Sequence, residues 1–117
     1  MQNFRNLAVW QKAHELVLFL HTVSNGFPTH ETYGLRTVIR RKAVDVPTRI
    51  ADGSGCATDQ DFVRHLYAAN SAASELDYLF ILVRDLKYID DAAYEKLTAS
   101  VVEVKRMLLG LIRSINP

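Results

Sequence analysis

The chain has 117 residues, of which 49% are hydrophobic and 23% are charged, and its formal net charge is +1. This length fits one compact domain over residues 1–117, and the hydrophobic content excludes a disordered or collagen-like protein. A charge so close to zero excludes a global attraction to nucleic acid. Any such binding therefore needs a local basic patch, or a patch that an oligomer repeats.

The composition predicts a cytoplasmic protein without a membrane span. No apolar run approaches the ~20 residues that cross a bilayer. The first six residues lack the basic-then-apolar pattern of a signal peptide. Cys56 is the only cysteine, so no internal disulfide can form and a reducing compartment is expected.

Apolar residues recur at spacings of three and four in four successive segments, which predicts four helices. The first helix is predicted from Asn3 to Gly26, and the second from residues 29–32 to a stop at Gly53-Ser54-Gly55. The third is predicted from a Thr58 cap to residues 86–88, and the fourth begins at a cap formed by residues 90–91. Short connections favour an all-α, antiparallel up-down four-helix bundle.

The second segment combines an apolar stripe, several cations and an internal proline. Pro47 has no amide hydrogen, so it is expected to kink the second helix or to restart it. The residues of the stripe fall on one arc of a helix that turns about 100° per residue, and they are expected to face the core. They are Leu35, Ile39, Ala43, Val46 and Ile50.

Cations of the second and fourth segments are the candidate nucleic-acid contacts, since phosphate contacts give affinity without sequence readout. In a helical projection the cations of the second segment point in several directions, and Asp45 offsets part of their charge. A solvated surface with internal salt bridges is the alternative interpretation. If the cations do bind phosphate, replacing Arg40 and Arg41 with alanine should lower RNA affinity without unfolding the protein. The candidates are Arg36, Arg40, Arg41, Lys42, Arg49, Lys105, Arg106 and Arg113.

No catalytic or metal-ligating set has the required spacing, so no enzyme, cofactor or metal is predicted. The sequence has no Glu-x-x-His, and the Asp61–His65 spacing alone is a weak metal signal. Cys56 is expected to be a free structural thiol. Glu31 and Glu75 are each expected to pair with an arginine of the second segment rather than to act as an acid–base pair. Trp10 is expected in the core.

Three motifs carry a family resemblance that covers nearly the whole chain. The first is Phe-x-x-Leu-x-Val-Trp-x-Lys-Ala at residues 4–13. The second is Phe-Pro-x-x-Glu-x-Tyr-Gly-Leu at residues 27–35. The third is Arg-Arg-x-Ala-Val-x-x-Pro-x-x-Ile-Ala-acidic-Gly at residues 40–53. With these motifs the chain resembles the bacterial four-helix-bundle proteins associated with 23S rRNA intervening sequences. The residues taken as its structural signature are Trp10, Pro28, Glu31, Tyr33, Gly34, Pro47, Gly53 and Glu75.

The resemblance implies a homopentamer. The chain is also similar to the accessory variability proteins of diversity-generating retroelements, which are basic, pentameric partners of a reverse transcriptase and bind nucleic acid. It departs from the family pattern at Val38, Arg49, Asp52 and Ser71, and it is nearly neutral. The resemblance therefore implies a non-enzymatic homo-oligomer that contacts structured RNA or a nucleic-acid-processing protein. The alternative is a protein–protein scaffold with no nucleic-acid role.

Overall fold

The computed structural model describes residues 3–117, which are all-helical and contain no strand. This confirms the predicted all-α four-helix bundle. Two short 3₁₀ turns, Phe4–Asn6 and Thr29–Glu31, precede the first and second α-helices. The α-helices are α1 (Ala8–Ser24), α2 (Leu35–Ser54), α3 (Asp59–Asp85) and α4 (Asp91–Ile115).

Capping residues explain where the helices begin. Thr58 accepts a hydrogen bond from the Asp61 amide, and Asp90 accepts one from the Ala93 amide, as predicted. Asn3 also caps, but it opens the first 3₁₀ turn, and the extended backbone of Leu7 separates this turn from α1. The first α-helix therefore begins five residues later than predicted.

Each helix packs against two neighbours. α1 and α3 both contact α2 and α4, whereas the diagonal pairs α1/α3 and α2/α4 make no close contact within the described part of the chain. Neighbouring helices run antiparallel: Arg40, near the start of α2, bonds to Ser24 at the end of α1. Arg84, near the end of α3, lies 4.3 Å from the ring centroid of Tyr94 at the start of α4. The molecule is accordingly elongated, at 44 × 23 × 20 Å.

All four helices contribute to one core. The predicted stripe of α2 is buried from Ile39 to Ile50, and Leu35 lies at its partly buried edge. Trp10 was expected in the core but is only partly buried, because its ring lies between those of Phe4 and His14 at the surface of α1. The largest fully buried side chains include Leu20, Ile39, Ile50, Leu66, Leu76, Phe80, Leu97 and Leu108.

Pro47 and Gly53 serve the packing of α2. The helix continues through the buried Pro47, so this residue does not restart it. It ends at Ser54, with Gly55 as its C-cap, within the predicted stop at residues 53–55. A Cβ atom on Gly53 would lie 2.6 Å from the Cβ of His65 and 3.0 Å from a ring carbon of Phe62. Gly53 is therefore required for the close approach of α2 to α3.

The described helices do not have the length and apolar character of membrane spans. Each is too short or too polar to form a membrane span. This agrees with the sequence, in which polar and charged residues interrupt every long apolar stretch.

Candidate functional site

Arg36 binds the end of the preceding helix. Its Nε donates to the carbonyl of Ser24 at 3.1 Å, and its Nη2 donates to those of Asn25 and Phe27 at 3.4 and 3.3 Å. The last carbonyls of an α-helix lack partners within the helix and carry partial negative charge. The guanidinium of Arg36 supplies both the missing donors and the compensating charge, so it stabilises the α1–α2 connection.

Arg40 lies one turn further along α2 and binds the same helix end. Its Nε donates to the Ser24 hydroxyl at 2.7 Å, and its Nη2 donates to the His21 carbonyl at 3.1 Å and to Asn25 Oδ1 at 2.8 Å. Ser24 is fully buried, so Arg40 satisfies a polar group that water cannot reach. Arg40 is consequently a poor probe of RNA binding, because its replacement would also disturb the fold.

Lys42 faces the opposite flank of α2. Its Nζ lies 2.9 Å from the Glu75 carboxylate on α3 and 3.6 Å from Asp45 on its own helix. The hydrogen bond to Glu75 is the largest cause that raises the pKa of Lys42 above its ordinary value. The expected ion pair between Glu75 and the second helix therefore forms, but with a lysine instead of an arginine.

Glu31 does not pair with an arginine as expected, because both nearby arginines of α2 bind α1. One carboxylate oxygen accepts from the Leu35 amide at 3.1 Å, and the other accepts from the Tyr88 hydroxyl at 2.8 Å. These two bonds, the backbone bond first, lower the pKa of Glu31. Glu31 thereby caps the start of α2 and connects it to the α3–α4 turn.

The rest of the second motif supports this arrangement. Phe27 is buried, with its ring centroid 5.7 Å from that of Tyr88. Pro28 precedes the 3₁₀ turn that contains Glu31. A Cβ atom on Gly34 would collide with the Glu31 carboxylate, so a larger residue there would displace that side chain from its hydrogen bonds. Tyr33 differs from the others: its side chain is 95% exposed.

Six of the eight candidate cations have no carboxylate oxygen within 4.0 Å among residues 3–117. Two of the six, Arg36 and Arg40, bind the end of α1 instead. The other four make no side-chain hydrogen bond or ion pair in the described chain, and we call them the unpaired cations. Arg106, by contrast, forms a two-bond ion pair with Glu103. The unpaired cations belong to α2 and α4, which are diagonal in the bundle. A single copy therefore does not join them into one basic patch. They are Arg41, Arg49, Lys105 and Arg113.

An apolar groove of about 380 Å³ separates the outer surfaces of α1 and α2. The Trp10 and His14 rings stack in it at 5.1 Å with an interplanar angle of 8°. Arg5 lies at one end, with its guanidinium carbon 4.5 Å from the ring centroid of Phe4. Among residues 3–117, no carboxylate lines this surface, which we call the α1/α2 groove. Its lining residues are Phe4, Trp10, His14, Val17, Val44, Pro47, Thr48 and Ala51.

The weaker metal and thiol candidates are not assembled into a reactive site. Asp61 pairs with Arg64, whereas His65 Nδ1 lies 3.6 Å from Asp52. The Cys56 thiol is 3.7 Å from the Asp52 carbonyl. Residues 3–117 contain no group of three or more side chains placed to hold a metal ion. The side-chain contacts described above are those of helix termini and helix packing.

Together, the fold and these contacts define a small all-α four-helix-bundle protein whose motif residues connect helices at one end of the bundle. More particularly, the sequence matches the family described as 23S rRNA-intervening sequence protein over residues 5–110, and the chain belongs to that family. No curated protein shows significant similarity to the chain.

The fold is shared with solved structures. One of them is the 1.70 Å crystal structure of a protein with unknown function from the S23 ribosomal protein family of Bacteroides thetaiotaomicron VPI-5482. The TM-score is 0.83, and the match covers 90% of this chain and 98% of that one at 20% sequence identity. At this identity the similarity establishes the fold alone.

Proposed function

We propose that this protein is a non-enzymatic, homo-oligomeric binding protein that contacts structured RNA through outward-facing cations, with the pentamer as the assembly that its family resemblance implies. The observation that carries the proposal is the set of unpaired cations on α2 and α4. Arg41, Arg49 and Arg113 are exposed and Lys105 is partly buried, and none has a carboxylate partner in the described chain. Their charges are thus available to phosphate groups.

Assembly is needed because one copy carries a net charge of only +1. An oligomer repeats the unpaired cations around its axis, and simultaneous contacts raise avidity without any change in the monomer. Such contacts act on the phosphate backbone, so they predict affinity for RNA structure with little discrimination of sequence. The single cysteine supports a cytoplasmic location for this role.

The experiment measures the binding of a fluorescently labelled RNA hairpin by anisotropy at several salt concentrations, with the mass of the protein determined by light scattering. We expect the double variant Arg41→Ala/Arg49→Ala to bind at least tenfold more weakly. Its log–log salt slope should be shallower by roughly one unit for each lost phosphate contact, which is about two units for each copy that contacts the RNA. Its mass should be unchanged.

The matched control is Arg64→Ala/Arg106→Ala, which removes two exposed arginines that each have a carboxylate partner. This control should retain most of the affinity, because the charges of Arg64 and Arg106 are already offset. Equal losses in the two double variants would show that only net charge matters. Salt-independent binding, or no binding at low salt, would contradict the RNA role.

A protein–protein scaffold without a nucleic-acid role is the second candidate function. Exposed aromatic and aliphatic side chains on α3, Tyr67, Tyr78 and Ile81, favour it, as does the nearly neutral charge. This alternative predicts that the native protein purifies with a stoichiometric protein partner and shows no nucleic-acid absorbance.

A further inference from the structure

α3 carries a second periodic stripe on the side opposite its core face. Its exposed residues follow one another at steps of four, three, four and three, which is the spacing of a helix–helix seam. The stripe extends over about 21 Å, given a rise of about 1.5 Å per residue. We call it the α3 outer stripe, and it consists of Tyr67, Ser71, Ser74, Tyr78 and Ile81.

The composition of the α3 outer stripe suits contact with another protein surface. Tyr67 and Tyr78 are 53% and 59% exposed, and tyrosine is enriched in the buried parts of protein interfaces. Ser71 and Ser74 lie between them and are small enough for a partner surface to approach closely. Carboxylates lie on both flanks: Glu75 on the side of α2, where it contacts Lys42, and Asp77 on the other side.

The α1/α2 groove has complementary properties. Its apolar walls include Val44, which is 46% exposed, and Leu18, one turn beyond His14, is 56% exposed beside it. Arg5 lies at one end of the groove. It has no carboxylate partner in the described chain, and the groove lining contains no acidic residue. A partner surface that is flanked by acidic residues is therefore favoured as the occupant of the groove.

The two surfaces lie on different sides of the bundle, because α1 makes no contact with α3 and the stripe points away from the core. A copy cannot bring its own stripe into its own groove, but it can offer each surface to a different neighbour. Contacts between unlike surfaces are heterologous, and they close into a ring when the rotation between copies permits.

We propose that the α3 outer stripe of one copy docks in the α1/α2 groove of a second copy of this chain. The inference rests on the homo-oligomeric part of the proposed function and adds the interface. The docked tyrosines cover Trp10, Val44 and the adjoining apolar surface of the groove. Asp77 of the stripe approaches Arg5 at the end of the groove.

Two single substitutions block one surface each. Val44→Arg introduces a long charged side chain into the groove, and Ser74→Arg introduces one into the centre of the stripe. Both positions are exposed, so we expect circular dichroism and thermal unfolding to remain close to wild type. Each variant alone should lose the wild-type oligomer and show the 13.3 kDa mass of the monomer by light scattering.

A one-to-one mixture of the two variants tests the pairing of unlike surfaces. Val44→Arg keeps an intact stripe and Ser74→Arg keeps an intact groove, so the mixture should form a dimer of twice the monomer mass. Trp10 is the only tryptophan and lies in the groove, so its fluorescence emission should shift to shorter wavelength on mixing. The matched control Ala99→Arg, on the α1/α4 side of the bundle, should keep the wild-type mass.

The outcomes separate this inference from the proposed function. A wild-type oligomer that survives both Val44→Arg and Ser74→Arg would overturn the interface and leave oligomerisation intact. Monomeric variants whose mixture stays monomeric would overturn the pairing of stripe with groove. Loss of the oligomer in Ala99→Arg would show that the interface lies on the α1/α4 side of the bundle and would overturn the proposed docking. A monomeric wild type would overturn the homo-oligomer itself. The RNA-binding role is tested separately, by the anisotropy experiment.

Discussion

Arg40 on α2 donates a 2.7 Å hydrogen bond to the buried hydroxyl of Ser24 at the end of α1. The two residues are sixteen positions apart in the chain, and together with Arg36 this contact holds the first two helices in register. The residue that begins the third motif of the sequence is thus engaged within the fold. Glu31 is likewise engaged within the fold, because its carboxylate connects α2 to the turn after α3.

Arg40→Ala should lower the free energy of unfolding by about 1–3 kcal/mol, because the buried Ser24 and the last carbonyls of α1 lose a charged donor. Urea unfolding followed by circular dichroism measures this change. The neighbouring variant Arg41→Ala is the control and should stay within about 0.5 kcal/mol of wild type, since Arg41 is exposed and unpaired in the described structure. Similar stabilities for the two variants would refute the structural role of Arg40.

Gly53→Ala should destabilise the protein by about 1–3 kcal/mol, because the new methyl group overlaps His65 and Phe62 across the α2–α3 contact. Gly110→Ala makes the same chemical change in α4, where nothing in the described structure beyond the adjacent backbone of α4 lies within 4 Å of the added carbon. That control should stabilise the helix by up to about 1 kcal/mol. The two substitutions should therefore shift the urea midpoint in opposite directions, and a shift in the same direction would count against the close-packing role.

Glu31 should give the protein an acid-sensitive contribution to stability. Its pKa is lowered in the folded state from the ordinary value of 4.5 by its bonds to Leu35 and Tyr88. The contribution is therefore complete above pH 4.5 and disappears as the pH falls through the lower, folded-state pKa. Glu31→Gln should melt at a lower temperature than wild type at neutral pH, and the difference should shrink in acid.

Thermal unfolding from pH 7 to pH 2 measures this effect, with Glu95→Gln as the matched control at an exposed site on α4. The control should follow the wild-type curve across the whole range. A constant difference between Glu31→Gln and wild type at all pH values would show that the titration of Glu31 is not linked to folding.

The Lys42–Glu75 pair should contribute little to stability although it bridges α2 and α3. The Lys42 and Glu75 side chains are 27% and 60% exposed, so solvent screens the pair. A double-mutant cycle with Lys42→Ala and Glu75→Ala should give a coupling energy of about 0.2–1 kcal/mol that falls as salt is added. A larger, salt-independent coupling would mean that the pair is desolvated.

The parts of the fold that depend on neighbouring residues could be predicted from the sequence. The spacing of apolar residues placed all four helices, and the Thr58 and Asp90 caps were assigned correctly because a cap involves residues only three positions apart. The same local reasoning placed Lys42 beside Asp45. It also placed the end of α2 correctly at residues 53–55, but it did not show that Gly53 meets α3, because that contact depends on how the two helices pack.

The candidate site was less predictable. Helical projection separated the cations of α2 by direction, but it did not show that Arg36 and Arg40 point at the unsatisfied end of α1. A signal for this was present: two arginines four residues apart, on one flank, just after a helix-ending glycine and a short connection. The partner of Glu31 had no such signal, since Tyr88 is 57 residues away.

By itself, therefore, the sequence determined four amphipathic helices, their caps and the family to which the chain belongs. These properties follow from periodicity, from bonds that span a few residues and from motifs read in order. Only the tertiary structure decided which cations bind other residues of the bundle, and which face solvent without a partner in the described chain. That division depends on where the four helices meet, because an arginine's hydrogen bonds are set by the carbonyls and carboxylates that packing brings within its reach.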